Sequence, residues 1–479
     1  MRLASNECRQ TLLKYSSVRE SHSQGFPNLG GRRAVDEFTM PETPQSWAMR
    51  LVKIEALFRY LAVSFAWLSL VGGFPVQLSV MVSILWLGCL AAAQVLAGEV
   101  VTVKEVDGGS RERAMLGSWT NERLIVDGDA RREIPLDDVV SILFDRKPAA
   151  ISGGESLVLL ANGDRLAARP TAISDDVLIV SWKRGASQND LKLSLETVAA
   201  VVFELPSATT DRQRLFADLQ TLPPGDDLLL LANGDRTQGE FEKLDGAFVE
   251  LKGANGPLKV DRSRVRAIRF NPELTSAPKV GGRRLVISFV DGSRLTATNA
   301  ELQAGELKLT TPAKQSLTLP LASVVSCHVY GSRVIPLTDR EPTEVSFVPY
   351  LSARWPLVKN ANVLHGPLSL RGIEYDAGLG MHSRMSVTYP LSGNEREFRA
   401  TVGLDDCANG AGSVRFAIEL DGKRTWTSDE ITGRSAPLNV PPVAVRGAKR
   451  LTLIVDFGQK ADVSDYADWC DPLLIIEPK

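Results

Sequence analysis

The chain has 479 residues, enough for roughly three or four domains rather than one. Charged residues make up 23% and sum to a formal net charge of -2, so there is no overall basic field to hold phosphate backbones, and nucleic acid is excluded as a leading partner. The five cysteines and four histidines include no CxxC pair and none of the spacing a structural zinc site requires.

Residues 1–48 are polar, mixed in charge and without periodicity, which reads as a disordered or untranslated segment, with Met49 as the alternative start. Arg50, Lys53 and Arg59 then lead into two apolar runs, Tyr60 to Phe74 and Val76 to Ala97, split by Pro75. Residues 49–97 are expected to be a signal peptide, cut after Ala97 in Val95-Leu96-Ala97-Gly98, or a membrane anchor, since the second run is just long enough to span a bilayer. Either way the protein is expected to be exported: secreted, periplasmic or anchored facing outward, with membrane contact only through this segment if it is uncleaved.

After Gly98 short apolar alternations are separated by Gly, Asn and Asp, the pattern of an all-β region. Asp107-Gly108, Asn162-Gly163, Asn233-Gly234 and Asp291-Gly292 are four hairpin tips that favour type I′ turns. Each is followed by a closing strand at nearly constant offset: Val139 to Phe144, Val198 to Phe203, Val265 to Phe270 and Val324 to Val329. Four β repeats result, at 98–147, 154–205, 226–273 and 282–332, each the size of a small SH3-like or Sm-like barrel or hairpin unit. The tip "LLANGDR" occurs twice, at Leu159 to Arg165 and Leu230 to Arg236, with its Asp-Arg pair expected on a solvated face. Residues 206–225 interrupt the array with a linker helix whose Leu215, Phe216, Leu219 and Leu222 fall at helical spacing, a stripe read as core packing.

From about Val345 the grammar changes, and alternation over many strands argues a jelly-roll β-sandwich across 345–479. Its distinctive words are Tyr375-Asp376-Ala377-Gly378-Leu379-Gly380-Met381-His382-Ser383, Phe398 to Asp406, Gly412 to Phe416 with Asp421-Gly422-Lys423, Arg446 to Val455, and Asp465-Tyr466-Ala467-Asp468-Trp469. This quarter of the chain resembles the NPCBM carbohydrate-binding modules. The resemblance implies a galactose-binding-like jelly roll of the kind found beside some glycoside hydrolases. Tyr466 stands where that family usually has histidine.

Trp469 and Tyr466 offer flat faces for a sugar ring, and Asp465, Asp468, Arg384 and His382 can bond its hydroxyls. The competing readings make Trp469 a plug at the end of the sandwich and His382 a buried hydrogen-bonding residue. Asp405 and Asp406 suit a structural calcium, or else they organise loop backbone. Cys407 and Cys470 are expected to pair in an oxidising compartment. The resulting reading is an exported, non-catalytic modular protein that binds polysaccharide or cell-surface glycan. Its rival is a structural or protein-interaction role among envelope proteins with no sugar ligand. Hydrolysis would need a carboxylate pair, for which Asp405 with Asp468 is the candidate.

Overall fold

The computed structural model describes residues 99–184, 187–221 and 225–478, so the expected signal or anchor segment lies outside the described residues. Among those described, no helix is long and apolar enough to cross a membrane.

The protein is all-β, with tandem SH3/Sm-like repeats followed by a jelly roll. In the first repeat the strands are Val100–Glu105, Ser110–Trp119, Arg123–Asp127, Arg131–Pro135 and Val139–Phe144. The first strand pairs with both the second and the fifth, and the second, third and fourth follow as a meander. A 3-10 turn, Leu136–Asp138, connects the fourth strand to the fifth. The third repeat repeats this order with a turn at Arg262–Arg264. In the second and fourth the second strand is broken in two, at Arg165–Leu166 with Arg169–Ser174 and at Arg294–Ala297 with Asn299–Gln303.

The tips are not type I′. In each, only the glycine has positive φ: Gly108 at 89°, Gly163 at 86°, Gly234 at 92° and Gly292 at 81°. Gly163 N donates to Leu160 O at 3.0 Å while Leu160 N donates to Asp164 O at 2.9 Å, and the same two bonds recur at the other three tips. This is the three-residue loop with a glycine bulge. The residue before the glycine is Asn or Asp for its side-chain acceptor: Asn162, Asn233, Asp291 and Asp107 each take the N–H two residues on, an Asx turn.

The repeats are not beads on a string. Closing strands pair across copies, with Cys327 opposite Ile142 and Val201 opposite Ile268, joining copies 1 with 4 and 2 with 3. Copies 2 and 4 meet through their tips, where Arg165 lies opposite Arg294. Arg165 Nε donates to Gly292 O at 2.9 Å and Arg294 Nη2 to Gly163 O at 2.7 Å. Ala167 N donates to Ser293 Oγ at 2.9 Å, and Thr296 N to Asp164 Oδ2 at 2.7 Å. Equivalent positions thus exchange equivalent bonds, and the spatial order is 1-4-2-3. A solvated Asp-Arg pair therefore holds only for the second spelling, where Asp235 and Arg236 are exposed. Asp164 is buried at 4% exposure because it satisfies the N–H and hydroxyl of Thr296.

One core runs through all four copies and includes Trp119, Trp182, Ile142, Val201, Ile268 and Phe289. The two paired sheets differ on their other face. On the 2–3 sheet Leu157, Ala200, Val202, Leu228 and Leu230 are covered by Leu215 and Leu219 of the helix Thr209–Thr221. On the 1–4 sheet Val106, Val140 and Tyr330 pack against Leu473 and Ile475 of the jelly roll. Beside that patch the contact is polar. Asp376 accepts from His328 Nδ1 at 2.9 Å and Ser288 Oγ at 3.3 Å, with Arg294 Nη1 at 3.2 Å. Arg165 adds an ion pair to Glu374, and Arg399 Nη2 donates to Val106 O at 2.7 Å.

The jelly roll has two facing sheets. One runs Val358–Lys359, Gly378–His382, Tyr466–Ile476, Glu395–Leu404 and Leu438–Asn439; the other runs Glu344–Phe347, Met385–Pro390, Arg450–Phe457, Ser413–Leu420 and Lys423–Thr427. Tyr389, Phe398, Phe416 and Trp469 fill the space between them.

Candidate functional site

At one end of the sandwich the segment after Phe347 crosses the strand ends and brings aromatic rings to the surface. Tyr350 is 53% exposed and meets Phe457 edge to face at 5.5 Å. Half-buried Trp355 lies flat on His382, with 4.6 Å between ring centres and 4° between planes, and its other neighbour is Tyr466 at 5.6 Å. Arg384, whose side chain is half exposed, stands 3.6 Å from Asp456. The result is a set of flat apolar faces rimmed by a guanidinium and a carboxylate, the combination that pairs stacking with hydroxyl bonding.

Beneath these rings the support is buried. His382 directs Nδ1 to Ser383 O at 2.9 Å, and burial holds its imidazole below the ordinary histidine value despite that bond. The ring is therefore neutral near pH 7 and serves as the shelf for Trp355. Asp465 is pushed up to about 6 by burial, with Asp462 adding to the rise. It accepts from Ser383 Oγ at 2.5 Å and Ser413 N at 2.8 Å, tying the two sheets together at this end.

Residues 343–475 match the family model described as the NPCBM/NEW2 domain. The C-terminal part of the chain belongs to that family. Over 107 residues the chain is 33% identical to alpha-1,3-galactosidase B of Akkermansia muciniphila, a match covering 22% of this chain and 13% of that protein. The chain spans 7% to 13% of the length of the curated relatives it matches. Among solved structures it is similar to CBM51 from Clostridium perfringens GH95 in complex with methyl-galactose, at 25% identity and a TM-score of 0.27, covering 29% of this chain and 99% of that one. CBM51-2 with the INT domains of Clostridium perfringens ZmpB, in complex with GlcNAc, gives 17% identity and a TM-score of 0.28, covering 40% and 43%.

Within the NPCBM/NEW2 domain the residues expected from the sequence divide into two groups. Tyr466, His382 and Arg384 do come together at the aromatic end. Trp469 does not: it is 0% exposed, packed among Phe398, Phe416 and Trp426, so it is core and presents no face to a sugar. Asp465 and Asp468 are likewise 0% exposed and cannot reach a surface ligand. Sequence reasoning passed over Tyr350, Trp355 and Phe457; the signal was the aromatic density of Phe347 to Trp355 beside the linker.

The expected calcium does not fit. Asp405 accepts from Asn362 Nδ2, Cys407 N and Ser369 N, while Asp406 accepts from Arg371 N, Gly372 N and Ser369 Oγ. All four carboxylate oxygens face donors, the arrangement of a loop organiser and the reverse of a cation cage. Among the described residues no group of three His, Cys, Asp or Glu side chains could hold a metal ion. The disulfide is also absent, as Cys407 and Cys470 are both free thiols. Cys470 packs between strands against Leu368 and Leu370, whereas Cys407 sits in a 3-10 turn pinned by Asp405.

Asp468 points to the other face of its sheet from Trp469, against the loop that carries Asn362. That loop lies close because Gly380 is bare: a Cβ there would sit 2.4 Å from Ala361 O. Both Asp468 oxygens are buried and receive no donor from backbone or from any neutral side chain, and burial, then the charge of Asp405 and a proton shared with it, raise its carboxyl well above the usual range. A raised acid contributes stability that is complete below its unfolded value, about 3.9, and is lost as pH rises. Asp468→Asn should therefore raise stability at pH 7 by about 1 kcal/mol, with the gain growing from acid to neutral pH in urea melts. A variant destabilised at every pH would contradict this assignment. A hydrolytic pair of Asp405 and Asp468 across a cleft is not formed, since the two acids are buried against each other.

Proposed function

We propose that this protein is an exported, non-catalytic glycan-binding protein whose NPCBM/NEW2 domain holds a sugar against the Tyr350 and Trp355 end. The observation that carries the reading is the exposed Tyr350 ring, braced by Phe457, and, five residues on in the same segment, a Trp355 ring fixed flat over His382. A platform whose rings are already immobilised loses little entropy on binding. Arg384 and Asp456 at its margin supply a donor and an acceptor for ring hydroxyls. Family membership supports carbohydrate as the ligand class. The name of the Akkermansia relative, a galactosidase, makes galactosides the first glycans to test.

Glycan-array screening and calorimetry on the intact chain provide the test. Tyr350→Ala and Trp355→Ala should each weaken binding at least about tenfold, a loss near 1.4 kcal/mol. Because Tyr350 is exposed, its replacement should move stability by no more than about 0.5 kcal/mol. Equal binding by Tyr350→Ala and the parent chain would overturn the site. Binding to no glycan, with envelope proteins captured instead by cross-linking, would favour the interaction role. Recovery of a chain beginning at Gly98 from outside the cytoplasm would test export.

A further inference from the structure

The 3-10 turns that precede the four closing strands begin with Leu136, Leu195, Arg262 and Leu321. Leu136 and Leu321 are buried in the shared core and Leu195 packs against it. An arginine at a position that three equivalent copies fill with core leucine breaks the local rule, and such breaks mark places where something other than packing is selected.

Arg262 is held rigidly. Its guanidinium lies over the ring of Phe203 with Cζ 3.2 Å from the ring centre, and its backbone N–H donates to Ala247 O at 2.8 Å. It faces a cavity of about 430 Å³ between copies 2 and 3, whose lining includes Arg169, Thr171, Asp245, Asp261 and Ser263. The two acids are already engaged. Asp245 accepts from the N–H groups of Ala247 and Phe248 and lies 3.4 Å from Lys243, and Asp261 accepts from the N–H and hydroxyl of Ser263. Both acids keep their charge, but each has a cation of its own, Lys243 beside Asp245 and Arg264 near Asp261, so Arg169 and Arg262 are the two cations of the lining without such a partner among these acids. The hydroxyls of Thr171 and Ser263 already donate to Ile179 O and Asp261.

We propose that this cavity binds a tetrahedral oxyanion, a sulfate or phosphate group, between Arg169 and Arg262. Two planar guanidiniums on one concave surface are the usual protein solution for such groups, because each can give two parallel N–H bonds. Without an anion the two like charges oppose each other. Burial first, and then the Arg169 charge, pull the Arg262 guanidinium down to about 10, and a bound anion would offset the second of these. The site is independent of the aromatic end and does not rest on glycan binding there.

Calorimetric titration of the full chain with sodium sulfate and with sodium phosphate, at fixed ionic strength, should show saturable binding of one anion. Arg262→Leu restores the residue that the other copies carry, so it should fold, as near-UV circular dichroism can verify, yet lose at least about tenfold in anion affinity. Arg169→Gln should weaken binding in the same direction, while Tyr350→Ala leaves it unchanged. A sulfated galactose that binds more tightly than inorganic sulfate, with plain galactose failing to compete, would place the anion on a sugar. Equal affinities would make it a site for the free ion. No saturable binding of any of these anions, or a folded Arg262→Leu that binds as the parent does, would overturn the proposal.

Discussion

Trp469→Ala is expected to cost about 3–5 kcal/mol of stability and to abolish glycan binding only by unfolding the domain. The indole is 0% exposed and meets Phe398, Phe416 and Trp426 at ring separations of 6.2, 5.3 and 6.4 Å. Truncation leaves a cavity at the centre of the sandwich, which surrounding side chains on two rigid sheets cannot collapse to fill. Its Nε1 has no hydrogen-bond partner, so Trp469→Phe should lose far less, removing a buried orphan donor together with some volume. Urea unfolding followed by tryptophan fluorescence and near-UV circular dichroism would read both. A Trp469→Ala chain that unfolds within 1 kcal/mol of the parent, a threshold well below the range for such truncations, would show that the ring is not core.

Asp376→Ala should destabilise the contact between the repeats and the jelly roll by about 3–5 kcal/mol, the scale for removing one partner from a buried charge pair. Burial by itself would raise the Asp376 carboxyl, but the bond from His328 and the charge of Arg294 outweigh it and hold the group well below the usual carboxylate range. His328 is raised: burial lowers it, and the Asp376 bond with the charges of Asp471 and Asp376 more than compensates, against opposition from Lys104. Asp471, buried in the same cluster, is raised by burial and by Asp376 and pulled back by His328 and Lys104. The signs then follow. The depressed Asp376 contributes stability that is present above about pH 3.9 and lost as pH falls. The raised His328 contributes stability that is complete below about pH 6.5 and lost as pH rises through its elevated folded value. Parent stability should therefore decline on the alkaline side of neutrality, and His328→Gln should flatten that decline. Urea midpoints measured across this range test it; an unchanged slope in His328→Gln would refute the linkage.

Much of the fold was legible because it is written locally. The tips need a glycine at positive φ and an Asx acceptor before it, so Asp107-Gly108 through Asp291-Gly292 announce themselves, and the closing strands follow at fixed offset. What could not be read was which copies would pair. The clue is there in hindsight: outward positions on the 2–3 sheet are apolar, as at Ala200, Val202 and Leu228, whereas the 1–4 sheet carries Ser141, Ser288, Ser326 and His328. The first set waits for a helix, the second for the acids of the jelly roll.

The site was half legible for a different reason. The family word around Trp469 names residues but not the faces they occupy. Along Tyr466–Ile476 the alternation sends Ala467 and Trp469 inward, with Tyr466 and Asp468 on the opposite face. The asymmetry between Asp468, roofed by a loop, and Tyr466, left beneath Trp355, depends on the bare Gly380, a contact between segments that no single stretch of sequence displays. Tyr350 and Trp355 lie in an irregular segment with no period to flag them.

The clasp between the second and fourth tips also governs how the array can come into being. Its bonds join residues 126 to 132 positions apart, and the closing strand of copy 1, paired on one side within its own copy, finds its second neighbour only when copy 4 exists. A solenoid can nucleate anywhere and grow unit by unit; here copy 1 remains with an open edge, and Asp164 of copy 2 keeps only its bond from Asn162 and lacks the two from Thr296, until almost the whole array has been made. Folding is thereby expected to be cooperative across the four units and slow, because its closures are long-range. Loss of one unit, readily tolerated by ordinary repeat proteins, would leave its partner copy with an unpaired closing strand, and loss of copy 2 or copy 4 would also undo the clasp.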